Sequence, residues 1–242
     1  MLFRMDKAAM RIQSAVQILR RVFMVTAAGA LVICAVYMIL SYARRVSGQI
    51  SDGVVRLHVI PNSNSPEDQD RKLKVRDAVL AYLAEQTRDK VTDSDGMLAY
   101  IEGNLQGIRE VAEKTLSDNG SEHSVEVRSG TFDFPTRNYT GFALPAGSYR
   151  ALRVEIGEAE GSNWWCILFP PLCFNGPATV KEDRTDLQLK EAVGQEGYRV
   201  ISSGAGPEAS ENISYKFKFR ILEILGGIHN RLSARINITG KK

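Results

Sequence analysis

The sequence predicts an α+β fold: a small, mostly antiparallel sheet with two amphipathic helices, preceded by a transmembrane or signal helix and followed by a C-terminal helix. Three observations lead to this prediction. Residues 22–42 form an apolar run without a charge, several short segments after residue 50 alternate between apolar and polar residues, and two longer segments repeat apolar residues every three or four positions. These elements are enough for one domain with its own core.

The N-terminal part consists of a basic leader at residues 1–21 and the apolar segment at residues 22–42. A helix over this segment spans about 30 Å, the thickness of a bilayer's hydrocarbon core. The leader carries five Lys or Arg and one Asp, so the positive-inside rule keeps it in the cytoplasm and exports the residues after the apolar segment. Ser41-Tyr42-Ala43 fits a signal peptidase site, whereas the length of the apolar run is typical of an uncleaved anchor, and both alternatives stay open.

The charge of the exported part argues against nucleic acid as a partner. The first 50 residues hold seven of the 31 Lys and Arg and one of the 28 Asp and Glu, which leaves 24 basic and 27 acidic side chains in the rest. A protein that binds a phosphate backbone needs a basic surface, and this composition does not supply a general one.

The α+β core domain is predicted for residues 51–175. A strand at 54–60 is followed by an amphipathic helix that begins at Ser65, because Ser65 fits an N-cap, Pro66 fits the first helical position, and acidic residues occupy the first turn. A second helix is predicted from Ser94 to about Leu116. Further strands are predicted at 123–128, 149–157 and 164–169, the last one buried on both faces.

The sequence after residue 175 changes character. Residues 176–210 are rich in charged residues, Gly and Ser, which predicts a polar linker with at most one short helix. Residues 211–242 are predicted as a C-terminal amphipathic helix and tail, with the helix at about 213–228, although the same stretch also alternates like a strand. This helix would lie on a membrane, on a partner or on the core.

Two of the three cysteines lie in the exported part. Cys166 and Cys173 flank Pro170-Pro171, a pair that favours a bend, and a disulfide between them would contribute about 2.5 kcal/mol in an oxidising compartment. Two buried free thiols are the alternative. Cys34 lies inside the apolar segment and is interpreted there as a small hydrophobic residue.

The sequence lacks the motifs of the common hydrolases and nucleotide-binding proteins. The three histidines and the Cys-x6-Cys spacing do not resemble a zinc site. We therefore predict no catalytic residues, no metal, no cofactor and no small-molecule substrate. One catalytic pair stays open: the fold could bring His58 or His123 next to Cys166, which would then be a candidate nucleophile.

The segment 163–174 (NWWCILFPPLCF) concentrates both tryptophans, two prolines and two cysteines. Together with FPTR at 134–137, LPAGSY at 144–149, VRLHVIPNSNSPEDQ at 55–69 and LKVRD at 73–77, it resembles the stage II sporulation protein R family, in the same order over about residues 54–175. Members of that family are exported from the forespore into the space between forespore and mother cell.

The resemblance implies an intercellular signal of endospore formation rather than an enzyme. In that family the protein activates a membrane-embedded aspartic protease of the mother cell, which then processes a pro-sigma factor. The implied partner here is that protease, and the chain would be secreted or held by one N-terminal transmembrane helix. The alternatives are an extracytoplasmic cell-wall hydrolase and a wall- or membrane-binding module that uses residues 211–235.

Aromatic and loop residues define the candidate surface for binding this partner. Aromatic anchors dominate protein interfaces, so any exposed part of the segment at 164–174 would be a docking patch. The predicted surface consists of Asn62, Asn64, Glu67, Asp68, Phe134, Arg137, Tyr139, Trp164, Trp165 and Phe174.

Overall fold

The computed structural model describes residues 2–88, 90–139, 141–172 and 182–202. The chain divides into two compact units, residues 1–45 and 46–242. The prediction of an α+β fold with a small sheet, a long apolar N-terminal helix and a helix after the sheet is confirmed.

Helix α1 (Leu2–Gly53) is continuous for 52 residues. Its apolar side chains between residues 12 and 42 are largely exposed, among them Val25 at 73%, Leu31 at 71% and Ile33 at 70%. Such a surface is unfavourable in water, and the helix is long and apolar enough to cross a membrane. Helix α1 is therefore a candidate signal sequence or membrane anchor.

The second unit is built on a four-stranded mixed sheet of β1 (Val55–Ile60), β2 (Val125–Phe134), β5 (Gly147–Ile156) and β6 (Trp164–Phe169). The strand order is β2-β5-β1-β6. The central pair, β1 and β5, is parallel, and the two outer pairs are antiparallel. A short hairpin of β3 (Arg137–Tyr139) and β4 (Phe142–Leu144) forms a separate two-stranded sheet.

Three helices form the main core against one face of the sheet: α2 (Pro66–Thr87), α3 (Ser94–Gly103) and α4 (Leu105–Asp118). Alternate residues of β1, Val55, Leu57 and Val59, are fully buried there. The single helix predicted from Ser94 to Leu116 is wrong in one respect, because it is two helices. Asn104 ends α3 with its N–H bonded to the carbonyl of Ile101, and its non-helical backbone starts α4 in a new direction.

The second unit's first and last described helical segments contact each other, and the last one also contacts β4. Helix α5 (Glu182–Ser202) buries Leu189, Val193, Val200 and Ile201. A Cβ on Gly53 would lie 2.2 Å from the carbonyl oxygen of Ala192, so the end of α1 touches the α5 backbone. The prediction of a polar linker at 176–210 is thus corrected for 182–202, which is helical on both sides of a kink at Gly194 and buries four apolar side chains, although Leu187 is exposed.

The folded unit also begins earlier than the predicted residue 51. Val46 and Ile50 are each only 1% exposed, and the Arg150 guanidinium donates to the carbonyl of Asp52 and to the hydroxyl of Ser94. The last two turns of α1 are therefore part of the domain. The C-terminal helix predicted within residues 211–242 lies outside the described residues.

Candidate functional site

A row of side chains crosses the sheet on the face opposite α2, α3 and α4. Arg128 of β2 is paired with Arg153 of β5, Arg153 with His58 of β1, and His58 with Trp165 of β6. Neighbouring strands lie about 4.8 Å apart, so the row is about 14 Å long. Directly opposed like charges destabilise a sheet, so this arrangement needs compensation from nearby carboxylates.

Glu155 and Glu126 supply this compensation at one end of the row. Arg128 forms ion pairs with both, and the Arg153 guanidinium lies 2.5 Å from a carboxylate oxygen of Glu155. These acidic residues flank the row by two positions along β2 and β5. The positive charges of Arg128 and Arg153 are therefore largely neutralised by groups of the same face.

Arg56, two residues before His58 on the same face, is completely buried. Its guanidinium lies 4.0 Å from the ring centroid of Phe134 and 4.8 Å from that of Tyr149, and it donates a hydrogen bond of 3.0 Å to the Tyr139 hydroxyl. Burial lowers the pKa of Arg56 from its ordinary value. Its Nε and Nη1 have no hydrogen-bond partner among the described residues, and no carboxylate there pairs with its charge.

His58 is 5% exposed and stacks on Trp165, with ring centroids 3.8 Å apart and planes 16° apart. Burial, followed by the positive charges of Arg153 and Arg56, lowers the pKa of His58 to about 4. The imidazole is consequently neutral at pH 7. Within the described part of the chain, neither ring nitrogen has a hydrogen-bond partner.

The β3–β4 hairpin completes this surface beside Trp165. Arg137 is exposed, and its guanidinium carbon lies 5.5 Å from the Trp165 ring centroid. No ion pair to Arg137 occurs among the residues that the structure describes. We call this group of residues the basic aromatic face: the exposed or partly exposed Arg128, Arg137, Arg153 and Trp165, with Arg56 and His58 buried beneath them.

The structure brings four of the predicted surface residues together. Phe134, Arg137, Tyr139 and Trp165 all belong to the basic aromatic face or contact it. Trp164, by contrast, points to the other side of β6, where Arg76 of α2 lies 4.2 Å from its ring. Phe174 lies outside the described residues. That this surface binds a partner stays a prediction.

The predicted surface does not include Arg56, His58 or Arg153. The alternation of β1 places Arg56 and His58 on one face, and that of β5 does the same for Tyr149 and Arg153. What the sequence does not contain is the register between distant strands, which aligns these residues in one row. A buried-strand pattern interrupted by two cationic or titratable residues was the available signal.

The predicted residues Asn62, Asn64 and Asp68 form a different structure, which fixes a loop. The Asp68 carboxylate accepts hydrogen bonds from the Ser63 hydroxyl at 2.6 Å and from the Asn62 amide at 2.9 Å. These bonds, with the Ser63 bond as the larger cause, lower the pKa of Asp68 to about 2. Ser65 caps α2 through the N–H of Asp68, as predicted.

The same loop holds the connection between β5 and β6. The side-chain oxygen of Asn62 accepts from the N–H of Glu158, and that of Asn64 accepts from the N–H of Ser162. Lys72 is 5% exposed and donates to the carbonyl of Ser162 at 2.9 Å. These side chains are thus engaged in hydrogen bonds within the chain, although Asn64 is also exposed, as is Glu67 in the first turn of α2.

Cys166 is disulfide-bonded. Its predicted partner Cys173 lies outside the described residues, so that pairing stays a prediction. Cys166 belongs to the core on the helix side of the sheet, whereas His58 lies on the opposite face. A disulfide sulfur is not a thiolate nucleophile, and the hypothesis of a Cys166–His58 dyad is therefore not supported.

A cleft of about 710 Å³ lies between the end of α2, the start of α3, the end of β6 and α5. Its lining includes Val91, Met97, Phe169 and the polar residues Arg88 and Glu191. Within the described residues, no group of three or more His, Cys, Asp or Glu could hold a metal ion.

Comparison with known proteins decides the family. The family model for stage II sporulation protein R matches residues 51–178, which is more than half of the chain. The chain belongs to the stage II sporulation protein R family. A member from Bacillus subtilis, strain 168, named stage II sporulation protein R, is 34% identical over 146 residues, which cover 59% of this chain.

The match covers 65% of the Bacillus subtilis protein, slightly less than two thirds of its length. No solved structure matches this chain. The part matched to stage II sporulation protein R contains the whole sheet, α2 to α4, and every residue of the basic aromatic face. Helix α5 lies beyond the matched range.

Proposed function

We propose that this chain is an exported signal of endospore formation that activates a membrane-embedded aspartic protease. The protease then cuts the pro-sequence from a sigma factor of the mother cell. Membership of the stage II sporulation protein R family carries this proposal, since the match includes the complete sheet. The protein acts in the space between the two cells without chemistry of its own.

Two structural features support the proposal. Helix α1 is a candidate signal or anchor, which an exported protein requires. The basic aromatic face combines a partly exposed tryptophan with an exposed arginine, and these residue types are enriched at the energetic centres of protein interfaces. To activate the protease, the chain must bind its active conformation more tightly than its inactive one.

The test is reconstitution in a bacterium that does not sporulate. This chain, the membrane protease and the pro-sigma factor are produced together, and the size of the pro-sigma factor is followed on a gel. We expect processing with the intact chain. As a matched control, a chain lacking residues 22–42 stays in the cytoplasm and should leave the precursor uncut.

Two results would count against the proposal. Equal processing with and without the chain would mean that the protease needs no activator. An intact precursor, although all three proteins are present and correctly located, would contradict activation directly.

A further inference from the structure

We propose that the basic aromatic face binds an acidic segment of the partner protein, with Arg137 and Trp165 as its main contacts. This inference rests on the proposed function, because it names the surface through which the protease is bound. It also predicts the charge of the partner's contact segment, which should carry Asp or Glu side chains.

The charge of the face supports this choice of partner. Among the described residues, four arginines, Arg56, Arg128, Arg137 and Arg153, stand against two carboxylates, those of Glu126 and Glu155. Both carboxylates lie at the Arg128 end, where ion pairs already neutralise the charge. The excess positive charge is therefore concentrated at the other end, around Arg56, Arg137 and Trp165.

The buried charge of Arg56 is difficult to explain by a purely structural role. Its buried charge has no carboxylate partner among the described residues, and two of its nitrogens lack hydrogen bonds there. Isolated buried charges cost free energy, and mutual repulsion with Arg137 adds to that cost. An acidic side chain that lies against Arg137 and Trp165 would reduce this repulsion. It would also be attracted by the positive charge of Arg56.

The side chains at this end also suit an interface. Trp165 is held in place by stacking on His58 and by an edge contact with Phe134, with ring centroids 4.9 Å apart. A tryptophan fixed in this way loses little side-chain entropy when a partner binds. Arg137 is exposed above it and can form a two-pronged hydrogen bond with a carboxylate.

The chain's own C-terminal segment is a less suitable occupant. Residues 203–242 contain seven Lys or Arg and three Glu, so this segment carries a net charge of +4. A basic segment would be repelled by the positive end of the face. A second copy of the chain would have to bring an acidic surface to the same place.

The experiment compares Arg137→Glu with Lys90→Glu in the full chain. Lys90 is also exposed, but it lies in the turn between α2 and α3, on the helix side of the sheet. Co-purification with the detergent-solubilised protease and precursor processing are both measured, at low and at high salt. We expect Arg137→Glu to weaken binding about tenfold or more and Lys90→Glu to change it less than about twofold.

The outcomes separate the inference from the proposed function. If the wild-type chain binds and activates and Arg137→Glu does so equally well, the inference is overturned while the function stands. If the wild-type chain neither binds nor activates, both fail. Arg137→Ala provides a milder variant, which should weaken binding in the same direction should the charge reversal prevent folding.

Other occupants are tested by labelling. Arg137→Cys is reacted with a maleimide in the full chain and in a chain that ends at residue 202, with Lys90→Cys as the control. Equal labelling of position 137 in both chains supports the inference. Protection that disappears on truncation assigns the face to the chain's own tail, and Arg137-dependent self-association in sedimentation assigns it to a second copy. Either result would overturn the inference.

Discussion

The two faces of the sheet follow different physical rules. On the helix side, alternate residues of β1 and β5 are aliphatic, fully buried and packed against α2, α3 and α4. On the other side, the positions between them hold Arg56, His58 and Arg153, whose nitrogens are only partly satisfied. One strand can thus supply stability with one set of residues and a candidate binding surface with the other.

The largest difference between the two faces is expected for substitutions of two neighbouring residues of β5. Leu152 is fully buried in the helix-side core, so Leu152→Ala should lower the free energy of unfolding by about 2–5 kcal/mol. Arg153 points to the other face, and its partner Glu155 would stay paired with Arg128, so Arg153→Ala should cost less than about 1 kcal/mol. Denaturant unfolding followed by tryptophan fluorescence measures both changes. Equal losses of unfolding free energy would contradict the distinction between the two faces.

The second prediction concerns the disulfide of Cys166, a residue of the edge strand β6 whose side chain lies in the helix-side core. We predict that it joins Cys173 and that Cys173→Ser lowers the free energy of unfolding by about 2.5 kcal/mol, because an eight-residue loop is no longer closed in the unfolded chain. Mass spectrometry of an unreduced digest identifies the partner. Recovery of Cys173 as a free thiol would contradict the pairing.

Asp68, in the first turn of α2, should make the stability of the fold depend on pH. Its pKa is about 2 in the folded chain and 3.8 ordinarily, so the folded state favours the ionised form. The resulting stabilisation, roughly 1–2 kcal/mol, is fully present above pH 4 and is lost as the pH falls from 4 through 2. Asp68→Asn should lower stability at pH 7 and flatten this part of the profile. A profile that is as steep as that of the wild type would exclude this role.

Arg56 gives the smallest expected change in stability. Arg56→Met keeps much of the side-chain volume and removes a buried charge, while it also loses the contacts with Phe134 and Tyr149 and the hydrogen bond to Tyr139. These effects oppose each other, so the free energy of unfolding should stay within about 1 kcal/mol of wild type. Activation of the protease should decrease. A loss of more than about 3 kcal/mol would show that Arg56 serves stability and would remove the distinction between the faces.

Much of the fold could be predicted because its local rules are strong. The N-cap of α2 at Ser65, the alternation of β1 and β5, and the apolar helix all follow from neighbouring residues. The errors arose where distant parts decide the structure. Residues 182–202 look like a polar linker until the end of α1 provides a surface for Val193.

The candidate site was predictable only in part for the same reason. Aromatic residues of FPTR and NWW indicated a surface, and Phe134, Arg137 and Trp165 do lie together. The cations beneath them come from β1 and β5, and only the pairing of these strands with β6 places Arg56 and His58 there. Asn62 and Asn64 are predicted as loop residues of this surface, and Asn64 is exposed, but their side-chain oxygens accept hydrogen bonds from backbone N–H groups of the β5–β6 connection.

The most direct test of this account is site-specific photo-crosslinking in cells that produce the protease. A photo-crosslinking amino acid replaces Arg137 on the basic aromatic face or, in a matched chain, Lys114 on the exposed side of α4. The account predicts a covalent adduct with the protease from position 137 and none from position 114. An adduct from position 114 alone would show that the protease binds the helix side and would contradict the assignment of the two faces.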